Sequence, residues 1–236
     1  MKCIVPLAGP DLWSEQYGLR PLVDVDGQPL IEAALRPRAW ANALGPEDYI
    51  FVVRETTGLA DLTAYLRRAW PGCRIVTLSD MTGGALFSVL AAMALVPPGE
   101  AIVVDLADIL FSGGPDDPQV LFAREGHGAV VPTFASDEAC YSYLRIIDGL
   151  AVEAREKQVI SNHASAGVYM FRDITVFLTA AAHNIAHRDA LSVRGNLFIC
   201  PMVNGVIAAG HTVICPDVGD CRPVGKIFHA ASKKTA

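Results

Sequence analysis

Residues 2–9 read KCIVPLAG, an apolar run that ends in two small residues. Ile and Val favour a strand, and the run does not alternate between apolar and polar, so both faces of that strand are buried. Later runs repeat the pattern: YIFVVR (49–54), CRIVTL (73–78) and AIVVDL (101–106). Helical segments separate them, from Pro29 to about Leu35, from Leu59 to Trp70 and from Ala85 to Val96. Pro37 ends the first or kinks it, because proline lacks a donor and clashes with the preceding turn. Thr56 or Thr57 is placed to cap the second. Strands alternating with helices in this way predict a parallel sheet covered by helices on both faces.

The second half reads differently. GAVVPTF (128–134), SYLRII (142–147), LAVEAR (150–155) and ASAGVYMF (164–171) predict strands, with a hairpin turn at Ile147-Asp148-Gly149-Leu150. Helices are expected near 173–183 and 201–209, then a strand in HTVIC (211–215). FSGGPDDPQ (111–119) reads as the loosest loop. The whole is an α/β chain with a mixed, mainly parallel sheet, one domain over 1–236. Ligands of open α/β sheets sit at the carboxyl ends of the strands. Those ends are Leu7-Ala8-Gly9, Arg54-Glu55, Leu78 to Gly84, and Asp105 to Asp108.

Composition narrows the function. With 236 residues, 52% of them hydrophobic, the chain can bury a full core. A net charge of -6, with no Lys/Arg run longer than a pair such as Lys233-Lys234 at the tail, argues against a nucleic-acid partner. The longest apolar run, ALFSVLAAMALV (85–96), is too short to span a bilayer, and the N-terminus has no signal-peptide pattern. The cysteines are scattered with no metal spacing, which fits reduced thiols and a cytoplasmic protein. No G-x-G-x-x-G follows the first strand, so a dinucleotide-dependent dehydrogenase is disfavoured.

Read together, IVPLAG…RPLVDVDGQPLIEAAL, Met81-Thr82-Gly83-Gly84-Ala85, AIVVDLADILF and EKQVISNHASAGVYMF resemble, in that order and spacing, the sugar-phosphate nucleotidyltransferases. The resemblance runs to about residue 215. It implies a Rossmann-like fold of the nucleotide-diphospho-sugar transferase type, with a nucleotide-binding half over 1–111 and an acceptor-binding half over 112–236. It implies an NTP and a small phosphorylated acceptor as ligands, Mg2+ as cofactor, and a role in surface polysaccharide precursor synthesis. Leu7, Ala8 and Gly9 with Thr82, Gly83 and Gly84 would then meet the nucleotide. Arg20 and Asp108 would act in catalysis, and Asp108 would ligate the metal, with Asp105 as second choice. Tyr143, Glu156, Lys157, Gly167 and Asn204 would meet the acceptor. The residues alone leave other roles open: Thr82 can serve as an N-cap, Glu156-Lys157 as a solvated pair, Asn204 as a backbone partner. Self-association is open on the sequence.

The chain departs from the family pattern where phosphates lie. Asp11 stands at the second glycine of the family's loop and Trp13 at its arginine, while Arg20 replaces its lysine. A carboxylate there repels a triphosphate by several kcal/mol at low effective dielectric. Pro201 falls near the family's second metal aspartate, and Val224-Gly225-Lys226 replaces its final Gly-Thr-Pro. Two readings follow: an enzyme that grips phosphate through Arg20 and Arg54, or a non-catalytic relative that binds a nucleotide, sugar or partner. A nucleotide-sugar glycosyltransferase, with Asp105 and Asp108 on a metal, is a variant of the first.

Overall fold

The computed structural model describes residues 1–124 and 126–224. Gly225, Lys226, Lys233 and Lys234 lie outside them. Among the described residues an 11-stranded sheet forms the centre. Its strands in chain order are β1 (Lys2–Pro6), β2 (Tyr49–Arg54), β3 (Arg74–Leu78), β4 (Ile102–Asp105), β5 (His127–Val130), β6 (Thr133–Ala135), β7 (Tyr143–Ile147), β8 (Leu150–Arg155), β9 (His163–Ser165), β10 (Val168–Phe171) and β11 (Thr212–Ile214). Their lateral order is β6-β9-β7-β8-β11-β5-β10-β4-β1-β2-β3. The block β3-β2-β1-β4 is parallel throughout. The second half joins it where β10 runs antiparallel to β4. Beyond that, β5 and β11 pair in parallel and the remaining pairs are antiparallel.

Among the described residues the α-helices of six residues or more are α1 (Leu30–Leu35), α2 (Leu59–Ala69), α3 (Ala85–Leu90), α4 (Ile174–Ala186) and α5 (Met202–Ala208). The pleat of β1 sorts them into two layers. Cys3 and Val5 face a core with Ile31, Leu35, Leu62 and Leu66 from α1 and α2. Ile4 faces the opposite core, with Leu86, Phe177, Val203 and Val206 from α3, α4 and α5. Burying each such side chain contributes about 1.5–3 kcal/mol, so both faces are held.

Some local expectations fail, each for a visible reason. The run 128–134 is two strands, because Pro132 has no N–H to offer a ladder and the chain leaves β5 there to pair β6 with β9. The run 164–171 also splits, at Gly167, whose φ of 76° is left-handed. The helix expected from Ala85 to Val96 stops at Leu90, and a 3-10 turn over Met93–Leu95 finishes the segment ahead of Pro97-Pro98. Neither Thr56 nor Thr57 caps α2; Gly58, with φ 76°, stands at that position and Thr56 supplies only its carbonyl to Leu59. The stretch 111–119 is largely held: Ile109–Ser112 pairs with Gly219–Pro223, and Asp117 caps a short helix over Pro118–Phe122. The hairpin turn has the expected form, with Asp148 and Gly149 both left-handed (φ 50° and 79°).

Candidate active site

Four strand ends and their loops make the site, and its foundation is a buried ion pair that sequence reading missed. Asp105 closes β4 with its side chain fully buried. Arg38 meets it with two bonds, Nε to Oδ2 at 2.8 Å and Nη2 to Oδ1 at 3.1 Å, and gives a third to the Ile109 carbonyl at 3.0 Å. The guanidinium lies 3.8 Å over the Phe111 ring. The Ala107 amide donates to Asp105 Oδ1 at 2.9 Å. Asp105 is thus committed to Arg38, which corrects its reading as a reserve metal ligand. Ala107 takes the left-handed φ of 52°, a strained conformation for a residue with a Cβ, and this turn presents Asp108.

Asp108 has the opposite character. Its Oδ1 is buried and has no hydrogen-bond partner. Burial raises its carboxyl above the usual range, Arg20 pulls it down, and Asp105 and Asp11 push it up. Gly167 packs against it: a Cβ there would stand 2.8 Å from Asp108 Oδ1. Glu156 is the neighbouring acid. It accepts a bond from the Ser142 hydroxyl, and burial raises its carboxyl too, with Asp108 adding to the effect. Arg20, Asp108, Gly167 and Glu156, distant in sequence, therefore share one electrostatic neighbourhood.

The opening loop closes the side of this group below β1. Leu7 and Ala8 are buried, and the Leu7 amide bonds the Val52 carbonyl at 2.7 Å. Gly9 accepts from Leu12, after which Trp13–Ser14 pairs with Gly18–Leu19 in a small hairpin. Trp13 is spent on that hairpin. Arg20 Nη1 bonds Asp11 Oδ2, so the cation read as a phosphate ligand is held by the loop's own carboxylate. Arg54 Nε reaches the Gly9 carbonyl at 3.4 Å. Pro6, Leu7, Gly9, Asp11, Leu12, Arg20 and Pro21 line a cleft of about 50 Å³. That is room for roughly one or two waters.

The Thr82–Gly84 loop lies at the carboxyl end of β3, on the face covered by α3. Gly84, not Thr82, is the residue before the helix; the Thr82 hydroxyl instead bonds the Gly84 carbonyl and the Ser88 hydroxyl. Gly84 has φ 116°, and a Cβ on it would stand 2.2 Å from the Leu197 carbonyl oxygen. Leu197 is zipped to the loop, its amide to Gly83 O at 2.8 Å and its carbonyl to Leu86 N at 3.2 Å. The need for glycine at 84 is thus met by chain packing, while Gly83 is exposed beside the Phe87 ring. Gly84→Ala is expected to destabilise the fold by about 1–3 kcal/mol, read from the urea midpoint, through backbone strain and this clash. An unchanged midpoint would show that the 197 segment does not hold the loop.

No protein-family model matches the chain, and no curated protein sequence does. Solved structures match it over 95% or more of their length. A nucleoside-diphosphate-sugar pyrophosphorylase from Vibrio cholerae RC9 superposes with a TM-score of 0.80 at 19% identity, covering 100% of each chain. A UDP-glucose pyrophosphorylase complexed with UDP-glucose gives 0.69 at 15% identity, over 99% of this chain and 98% of that one. The inositol-1-phosphate CTP transferase of T. maritima gives 0.65 at 16%, over 98% and 95%. The fold is that of the sugar-phosphate nucleotidyltransferases.

Within this nucleotidyltransferase fold, two expected acceptor residues are spent on structure. Asn204 Nδ2 donates to the carbonyls of Ala154 at 2.9 Å and Pro201 at 3.0 Å, and its Oδ1 accepts from the Ala154 amide at 3.0 Å. It clips α5 to β8, which corrects its placement on the acceptor. Tyr143 is fully buried and its hydroxyl donates to the Glu138 carbonyl at 2.7 Å, a second correction. Lys157 is exposed and left-handed (φ 53°), with its ammonium 5.1 Å from the centre of the Phe198 ring. Among the described residues no group of three or more His, Cys, Asp or Glu side chains is placed to hold a metal. The unpartnered Asp108 Oδ1 does fit a cation that brings phosphate and water as its other ligands, as magnesium does.

Proposed function

We propose that the chain transfers a nucleotidyl group from an NTP to a sugar phosphate, or a related phosphorylated acceptor, and releases pyrophosphate. The observation that carries this reading is the Asp108 oxygen, buried and unpartnered, set among Arg20, Gly167 and Glu156 at the carboxyl end of β4. The acceptor's phosphate oxygen attacks the α-phosphorus; the new P–O bond forms as the α–β bridging bond breaks, and pyrophosphate leaves with the electron pair. Negative charge concentrates on the α-phosphate, so fixed donors and cations lower the barrier. Arg20 exchanges Asp11 for phosphate oxygens, which its planar fork can bond two at a time. The Gly9 backbone and the end of β1 position the triphosphate, and Thr82 and Gly83 border the base. Glu156 accepts hydroxyls of the acceptor, Lys157 meets its phosphate, and Gly167 lets it approach. Asp108 would hold a magnesium ion, which supplies charge neutralisation on the phosphates when bound.

On this reading residues 1–111 serve the nucleotide and 112–236 the acceptor. The product class is an activated sugar for surface polysaccharide, made in the cytoplasm where NTPs are found. Among the described residues no helix is long and apolar enough to cross a membrane.

Calorimetric titration with the common NTPs, magnesium present, tests the binding half of this reading. Arg20→Ala is expected to weaken the preferred NTP roughly ten- to a hundredfold, the worth of about 1.5–3 kcal/mol for hydrogen bonds to a charged group. Asp11→Gly is expected to tighten it by about tenfold, since it removes both a competitor for Arg20 and a like charge. Flat isotherms for wild type and both variants with every NTP would leave a non-catalytic binding module.

A further inference from the structure

The Leu197-Phe198 segment touches both halves of the site. On one side its backbone is zipped to the Gly83–Leu86 loop by the Leu197 amide and carbonyl. On the other, the Phe198 ring lies under the Lys157 ammonium at 5.1 Å. A third tie comes from below: Asn184, fully buried in α4, donates Nδ2 to the Phe198 carbonyl at 3.0 Å. The segment is thus fixed from the nucleotide loop and from the core. Lys157, in contrast, stands at the exposed surface, where its charge also acts on the Glu156 carboxyl, and it sits on a left-handed backbone although it is not glycine. Strained backbone of this kind persists where the surroundings over-determine it, and it aims the side chain.

We propose that Phe198 is a positioning residue: its ring parks the Lys157 ammonium in the acceptor half and ties that position to the nucleotide loop. The inference rests on the proposed function for what Lys157 then does, but not for where Lys157 sits. An exposed ammonium over a half-buried ring is held weakly. A phosphate oxygen offers it a stronger, charge-assisted bond. The ring therefore orders the lysine without competing with the phosphorylated acceptor.

The test is made on the full chain with its lysines reductively 13C-methylated. The chain has only a handful of lysines, and Lys157→Arg assigns the resonance of interest. In wild type the Lys157 methyl signal is expected upfield, in the shielding cone of the ring. Phe198→Leu should return it to the position of a free lysine, and Phe198→Tyr should keep it upfield. With a sugar 1-phosphate as acceptor, Phe198→Leu should raise the acceptor KM about two- to fivefold and leave the NTP KM unchanged, and Phe198→Tyr should restore it. An upfield signal that survives Phe198→Leu, or a wild-type signal with no shift, overturns the proposal. Absence of turnover in wild type would strike the proposed function, while the resonance still decides the role of Phe198.

Discussion

Asp105→Ala is expected to lower the free energy of unfolding by about 3–5 kcal/mol, since it strands the Arg38 guanidinium in the core. For a chain of this size that corresponds to roughly 6–20 °C in melting temperature. The bidentate pair, the bond to Ile109 and the stacking on Phe111 leave Arg38 no route to water. Replacing both partners by apolar residues, as in Arg38→Met with Asp105→Leu, should recover most of the loss, because the desolvation cost of the pair then disappears as well. Urea denaturation of the two single variants and the double variant reads this out. If Asp105→Ala unfolds at the wild-type midpoint, the pair is not the foundation of the β4 turn.

Asp108→Asn is expected to lower magnesium-dependent turnover by roughly a hundred- to a thousandfold, the scale seen when one group that stabilises developing charge is removed. Its stability should be equal to wild type or slightly higher. The carboxylate it removes has a buried oxygen with no partner, and such a group costs the fold rather than supports it. The pairing of outcomes separates the two aspartates. On this account loss of Asp105 damages the whole fold, and loss of Asp108 is expected to damage turnover alone. Turnover that survives Asp108→Asn would remove the metal role from the β4 turn, because Asp105 is already occupied by Arg38.

The contrast also marks how far sequence reasoning reached. The strands β1, β2 and β4 were legible because KCIVPL, YIFVVR and AIVVDL are apolar without alternation, as a sheet buried on both faces asks; CRIVTL forms the edge strand β3, which has no buried residue. The strand-end loops read from the sequence at Gly9 and Asp108 follow strands β1 and β4, which the structure pairs side by side. Side-chain partners were not legible. Nothing in the spacing of Arg38 and Asp105 announces a bond across 67 residues. Asn204 looked like a site residue because it is polar in an apolar helix, yet a buried backbone edge at Ala154 needs the same chemistry. Gly84 matched a ligand-binding pattern, but the close neighbour is the backbone of Leu197. At Asp11 the sequence showed a charge that opposes phosphate; it did not show that the charge already holds Arg20.

The central claim is that Arg20, Asp108, Glu156 and Lys157 together move a nucleotidyl group onto a phosphorylated sugar. A 31P NMR time course on the wild-type chain tests it most directly, with each common NTP, magnesium and a panel of sugar 1-phosphates. The account predicts that for at least one pair the NTP signals fall while pyrophosphate and a new sugar diphosphate doublet pair rise in equal amounts. Spectra that stay unchanged for every pair, at enzyme concentrations high enough to see a single turnover, would contradict it.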